Sequence, residues 1–125
     1  MTNEQIRFTT RILGPLAAVR LERHQVTQTL RSKSSCITNA ILLGRVSAGD
    51  RLEVLLDSRV EGRAELISMD AVTWGSLDID DAHRGGFDNL ADLGQALRRA
   101  GYRFKPLNDY QLFRIQFRWL EEAYA

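Results

Sequence analysis

Strict alternation of apolar and polar side chains is clearest near the end of the chain. One parity carries large apolar side chains, namely Phe113, Ile115, Phe117 and Trp119. The other parity carries polar side chains, namely Arg114, Gln116 and Arg118. Because successive side chains of a strand point to opposite faces, this pattern predicts a half-buried strand over residues 113–120. We expect the apolar set to point inward and the polar set to point outward as a basic face.

Shorter patterns predict the other extended segments. These are strands over residues 6–9, 52–56 and 63–74 and an extended segment over residues 26–31. Gly49 and Asp50 predict a tight turn before the strand at 52–56, and residues 58–62 predict the hairpin connection after it. Residues 32–40 are polar, and we expect a loop there.

Three helices are predicted from caps and apolar spacing. The first covers residues 16–22, with Pro15 in its first turn and Gly14 just outside it. The second is short, capped by Asp78 and ended by the glycines at 85 and 86. The third covers residues 90–100, capped by Asp88 or Asn89 and closed by Gly101. Strands and helices in this irregular order indicate an α+β domain or a partly open barrel.

Length and composition fit one globular domain. The chain has 125 residues, of which 44% are hydrophobic and 26% charged. We expect no membrane-spanning segment and no signal peptide, because no apolar run is long enough and the first residues lack the required layout. A single cysteine, Cys36, excludes an internal disulfide, so we expect a cytoplasmic protein.

Charge is unevenly distributed along the chain, although the net charge is only +1. Residues 1–35 contain six basic and two acidic side chains, whereas residues 61–92 contain two basic and eight acidic side chains. Residues 93–125 are basic again, with six basic and three acidic side chains. Global charge therefore does not indicate a nucleic-acid-binding protein, but the basic first third contains the segment of greatest chemical interest.

That segment is the run Val-Thr-Gln-Thr-Leu-Arg-Ser-Lys at residues 26–33. Thr27, Thr29 and Arg31 share one parity, so in an extended chain they point the same way. Hydroxyls and a forked cation can donate to the oxygens of an anionic or carbonyl-bearing ligand. Lys33 lies at the entrance to the next loop. The alternative is a polar edge strand, with Arg31 in a salt bridge to Asp50.

Other chemistry-bearing residues are few. Trp74 is either part of the core or a flat wall on which a base could stack. His24 and His83 are the only histidines, and with one cysteine they lack the spacing of a zinc site. The glycines at 85 and 86 lack the pattern of a phosphate-binding loop. We therefore expect no metal and no cofactor.

The ordered set of elements resembles a known family. The Thr-x-Thr-x-Arg box at residues 27–31, the Gly49-Asp50 turn and the aromatic strand at 113–120 together resemble the ASCH domain of the PUA-like superfamily. The likeness spans about residues 6–120. It implies one ASCH-like domain over residues 1–125, similar to small bacterial ASCH proteins, built as a small mixed β-barrel with flanking helices.

The resemblance also implies a function. ASCH domains are expected to bind RNA or a nucleotide in a cleft beside the barrel, which would here be lined by the set Thr27, Thr29, Arg31 and Lys33, with Trp74 as a stacking surface. A second expectation comes from small ASCH amidohydrolases that act on acylated cytidine through a Lys, a Thr and a Glu. Thr29 matches the threonine, but Val26 stands at the lysine position and Gly85 near the glutamate.

Two of the three residues that the amidohydrolases use are replaced in this sequence, so we expect little or no deacylation of acylated cytidine. The residues that could replace the missing base for Thr29 are Lys33, His24, His83 and Asp81. A third reading is a protein-interaction barrel with a vestigial cleft. The sequence leaves open the ligand, any RNA sequence preference and the oligomeric state.

Overall fold

The computed structural model describes residues 4–102 and 111–121, and all of the predicted elements fall within them. Five strands of these residues form one mixed sheet: β1 (Gln5–Phe8), β2 (Gln28–Arg31), β3 (Arg51–Leu56), β4 (Arg59–Thr73) and β5 (Gln111–Trp119). Their order across the sheet is β1-β3-β4-β5-β2. The β1–β3 pair is parallel and the other pairs are antiparallel. The sheet forms a half-barrel whose first and last strands, β1 and β2, are its two edges.

Five α-helices of the described residues flank the sheet: α1 (Thr10–Leu13), α2 (Pro15–Glu22), α3 (Cys36–Leu42), α4 (Ile79–Arg84) and α5 (Leu90–Arg99). A capping box joins Asp78 and Asp81 at the start of α4. The side chain of Asn89 accepts from the backbone of Asp92 at the start of α5. None of these helices is long and apolar enough to cross a membrane.

The core lies between the concave side of the sheet and the helices. Its most buried large apolar side chains come from β1, β3, β4, β5, α2 and the residue Val26 just before β2, and include Ile6, Leu21, Leu52, Leu66 and Ile115. The α+β class and the mixed barrel-like sheet with flanking helices are therefore confirmed. The predicted helices at 16–22, 78–85 and 90–100 are present as α2, α4 and α5.

The loop predicted over residues 32–40 is wrong, because most of its second half belongs to α3. Ile37 and Ala40 are buried, and Ile41 packs against the core. These positions have the i, i+3, i+4 spacing of one helix face. The intervening polar residues hid that spacing, and the tertiary contacts of the apolar face stabilise a short helix that propensity alone does not indicate.

The hairpin predicted after β3 is present, but its connection is shorter than the predicted residues 58–62. The turn consists of Asp57 and Ser58, both with positive φ angles of 50° and 70°, and β4 starts directly after it. Gly62 lies inside the strand. A Cβ there would come within 3.0 Å of the Trp119 ring and 3.1 Å of His24, so this glycine permits close packing and does not mark a turn.

The predicted faces of β5 are only partly correct. Ile115 and Phe117 are buried as expected, and Arg118 is exposed. Arg114 and Gln116, however, are half-buried, because α4 brings Asp81 against this face of β5. Asp81 and α4 therefore cover part of a face of β5 that the alternation of side chains alone predicts to be exposed to solvent.

Candidate functional site

A pocket of about 220 Å³ lies beside the two edges of the half-barrel. The end of β1 and the whole of β2 contribute to its walls, with α1, α4 and α5 around them. Three aromatic side chains line it: Phe8, Phe87 and Tyr102. Leu93 and Leu97 of α5 add apolar wall, whereas β2 adds the polar groups. The pocket thus combines aromatic surface with a small number of placed polar groups, as ligand sites usually do.

Arg31 is one of two arginines that line this pocket, and Arg7 is the other. Its Nε donates to Thr29 Oγ1 at 2.8 Å, and its Nη2 donates to the carbonyl oxygen of Arg7 at 2.7 Å. Its Cζ lies 5.0 Å from the centre of the Phe8 ring, within cation–π range. Since Arg7 and Phe8 belong to β1, the Arg31 side chain bridges the first and last strands of the described sheet.

The charge of Arg31 is not balanced by a carboxylate within the described part of the chain, where its hydrogen-bond acceptors are a hydroxyl and a carbonyl. Burial lowers the pKa of the Arg31 guanidinium, an effect opposed by Tyr102, which raises it. Arginine nevertheless stays protonated at neutral pH. Arg31 is half-buried, and a cation without a counter-ion in such a place attracts an anion that can reach it, because the pocket screens the charge less than water does.

A second polar group lies where β2 meets α4 and β5. Asp81 is 2% exposed, and its Oδ1 accepts hydrogen bonds from Gln28, Arg84 and Arg114 at 2.9–3.0 Å. Its Oδ2 accepts from the backbone of Asp78 at 3.0 Å. Burial raises the pKa of Asp81, but these hydrogen bonds outweigh burial and hold the pKa at about 2.

The network around Asp81 extends across β5. Arg114 also binds Asp70 through two hydrogen bonds of 3.1 and 2.7 Å, and this bond, followed by the one to Asp81, raises the pKa of Arg114. Gln116 donates to Gln28 Oε1 at 3.0 Å. Because its oxygens are occupied and its pKa is low, Asp81 is poorly suited to act as a general base, although it lines the pocket.

The residues predicted from the sequence are not all in one place. Thr29 and Arg31 line the pocket together. Thr27 does not, and its backbone binds Arg84 and Phe117 at 2.8 and 3.0 Å. Lys33 is exposed and outside the pocket wall.

Trp74 is also outside this pocket. It is half-buried and packs against the core, and a Cβ on Gly94 of α5 would lie 3.2 Å from its ring. The proposed salt bridge from Arg31 to Asp50 is absent among the described residues. The Asp50 carboxylate instead accepts from the backbone of Ser47 at 2.8 Å.

Sequence reasoning missed the three aromatic side chains of the pocket. They come from three separated segments of the chain, so no local motif joins them. Phe87 follows Gly86, whose φ is 95° and whose missing Cβ allows a close approach to Val26. A Cβ on Gly86 would lie 2.8 Å from the Val26 side chain, so the glycine pair at 85 and 86 was the one available signal for a loop packed against β2.

The other candidate groups are engaged elsewhere. Val26, at the lysine position of the amidohydrolase pattern, is completely buried. His24 stacks on Trp119 with ring centres 3.8 Å apart, and His83 Nε2 lies 3.2 Å from the Asp88 carbonyl oxygen. In the ranges 4–102 and 111–121 no group of three or more histidine, cysteine or acidic side chains is placed to hold a metal ion.

No protein-family model matches the sequence, and none of the curated proteins is significantly similar to it. Solved structures share the fold, among them the following two. A protein of the DUF984 family from Enterococcus faecalis has a TM-score of 0.61 at 15% identity, over 96% of this chain and 78% of that one. An ASCH domain from Lactobacillus crispatus has a TM-score of 0.56 at 17% identity, over 82% of this chain and 69% of that one. The chain therefore folds as an ASCH-like domain.

Proposed function

We propose that this ASCH-like domain binds RNA or a nucleotide-sized ligand in the pocket between β1 and β2. The observation that carries the proposal is Arg31, a half-buried guanidinium in the pocket wall whose hydrogen-bond acceptors among the described residues are all neutral. Removing part of the water around a charge that has no counter-ion opposes folding. An oxygen-rich anionic or carbonyl ligand that pairs with the fork of Arg31 would offset that cost.

The shape of the pocket supports a ligand with a planar ring. Phe87 and Tyr102 offer aromatic surface, and bases stack on such surfaces with little regard to sequence. The volume of about 220 Å³ is below the roughly 300–1,000 Å³ of pockets for drug-sized ligands. One base or nucleoside unit suits this volume better than a structured RNA element. The hydroxyl of Thr29, which accepts a hydrogen bond from Arg31, and the other polar side chains of β2 would supply hydrogen bonds to the edge of the base.

The test is a titration of the protein with single nucleosides, nucleotides and short single-stranded RNA, followed by heteronuclear NMR. We expect shifts concentrated on β2, the end of β1 and Phe87. Arg31→Ala should reduce affinity at least about tenfold, the loss expected for one charge-assisted hydrogen-bonding group. Arg31→Lys should recover only part of it, because lysine keeps the charge but not the fork.

Arg118→Ala is the matched control, because Arg118 is an exposed arginine of β5 that pairs with Glu65 away from the pocket. It should leave affinity unchanged. Equal affinity of the wild type and a folded Arg31→Ala variant would remove Arg31 from the site. Absence of any ligand-dependent shift would favour the remaining alternative, an interaction barrel with a vestigial cleft.

The single exposed cysteine supports the cytoplasm as the proposed location.

A further inference from the structure

A second cavity shares two lining residues with the pocket. This groove has a volume of about 540 Å³, and its polar lining residues are Glu4, Gln5, Arg7, Arg31 and Ser35. Its wall is more polar than that of the pocket, and no aromatic side chain lines it. Arg7 and Arg31 line both cavities. The two guanidinium side chains therefore stand at the border between an aromatic pocket and a polar groove.

Both arginines are held in place by neutral acceptors. Arg31 is bound to Thr29 and to the Arg7 carbonyl oxygen. Arg7 donates through Nε and Nη2 to Gln5 Oε1 at 3.1 and 2.7 Å, and Gln5 in turn donates to Glu53 at 3.3 Å. In each arginine the Nη1 group has no acceptor among the described residues. Two cations that line both cavities therefore keep donors that no described residue uses.

The remaining charge of the groove is that of Glu4. Its carboxylate lies 3.9 Å from Arg45, so a cation outside the groove partly neutralises it. The two arginines therefore outweigh the single carboxylate in the groove wall. This balance favours an anion over a cation as the occupant.

We propose that the groove binds the phosphate of a nucleotide whose base occupies the aromatic pocket, with Arg7 and Arg31 as the phosphate ligands. The inference rests on the proposed function, since the base has to enter the pocket. Arginine suits this role because its planar fork can donate two parallel hydrogen bonds to phosphate oxygens. The same chemistry would recognise the monoester of a free nucleotide and the diester of an RNA strand.

Isothermal titration at low ionic strength tests the inference. Each of adenosine, cytidine, guanosine and uridine is compared with its 5′-monophosphate on the wild-type protein. For the base that binds, we expect the monophosphate to bind at least about tenfold more tightly than the nucleoside. A dinucleoside monophosphate distinguishes the sources. If the dinucleoside monophosphate binds as tightly as the mononucleotide, the groove accepts the phosphodiester of an RNA strand. If it binds more weakly, the groove prefers the terminal phosphate of a free nucleotide. Both results support a phosphate site.

Arg7→Ala separates the groove from the pocket. Arg7 is exposed, so its removal should leave the fold intact, which circular dichroism can verify. Because Arg7 lines both cavities, the readout is the ratio of the two affinities measured on the same variant. We expect Arg7→Ala to lose the preference for the monophosphate over the nucleoside. Arg11→Ala, which removes a neighbouring exposed arginine that lines neither cavity, should keep the preference and so controls for long-range attraction.

Two results would overturn the inference and they are distinguishable. If nucleoside and monophosphate bind equally, or if Arg7→Ala keeps the preference, the groove is not a phosphate site, although the pocket still binds a base. If neither compound binds, both the inference and the proposed function fail.

Discussion

Gln28 and Arg31, three residues apart on β2, belong to two different polar environments. At Gln28 the buried carboxylate of Asp81 is surrounded by Arg84 and Arg114, so opposite charges and hydrogen bonds balance. At Arg31 the cation has only neutral acceptors among the described residues. Both environments depend on buried polar groups, and the difference between them separates a structural network from a candidate binding site. Four predictions test this distinction.

The largest expected effect is on stability, at the balanced network. Asp81→Asn removes the charge that two half-buried arginines face, and breaking a buried pair commonly costs about 3–5 kcal/mol. We expect a loss of this size in the free energy of unfolding, measured with urea. Asp70→Asn is the matched control, because Asp70 binds the same Arg114 but is half exposed and should cost less than about 1 kcal/mol. Equal losses in the two variants would contradict the distinction.

The second effect is a pH dependence at the same network. The pKa of Asp81 is lowered from 3.8 to about 2 in the folded protein, so the unfolded chain binds its proton at higher pH. The stabilisation is present above about pH 4 and is lost as the pH falls toward 2. The lowered pKa of Asp81 contributes about 2 kcal/mol to the free energy of unfolding. Urea unfolding at stepwise lower pH should show this decline, and the Asp81→Asn profile should lack that part of it. Parallel profiles would mean that Asp81 titrates normally.

The third effect is smaller and distinguishes the pocket from the network. Arg31→Ala removes two hydrogen bonds to neutral acceptors but also removes a desolvated charge, and these changes oppose each other. We expect a loss of only about 1 kcal/mol in the free energy of unfolding, together with the loss of ligand affinity predicted above. A loss as large as that of Asp81→Asn would indicate that Arg31 is mainly a structural bridge between β1 and β2.

The same residues show how much of the fold and of the candidate site the sequence predicts. Alternation and capping predict β5, α2, α4 and α5, because each pattern is local. The parity of Thr29 and Arg31 correctly indicates that they point the same way. The sequence indicates Asp81 only as a possible base for Thr29, because its contacts with Gln28 and Arg114 arise from tertiary packing over 53 and 33 positions. The aromatic wall of the pocket was missed for the same reason, since its side chains converge only in the folded chain.

The last expected effect is an absence of turnover. A threonine nucleophile needs a base within hydrogen-bond reach to accept its proton. In this pocket the hydroxyl of Thr29 instead accepts from Arg31, and the carboxylate of Asp81 is occupied and has a pKa of about 2. Val26, at the position of the amidohydrolase lysine, is buried and cannot replace either group. We therefore expect acylated cytidine to be hydrolysed at the background rate, with no difference between the wild type and Thr29→Ala when release of free cytidine is followed by chromatography. Rapid release that disappears in a folded Thr29→Ala variant would show that the pocket supplies a base after all. Repeating the assay with Asp81→Asn would then test whether Asp81 is that base. Loss of the activity in this variant would mean that the Asp81 network belongs to the same site as the pocket, and the distinction between the two environments would fail.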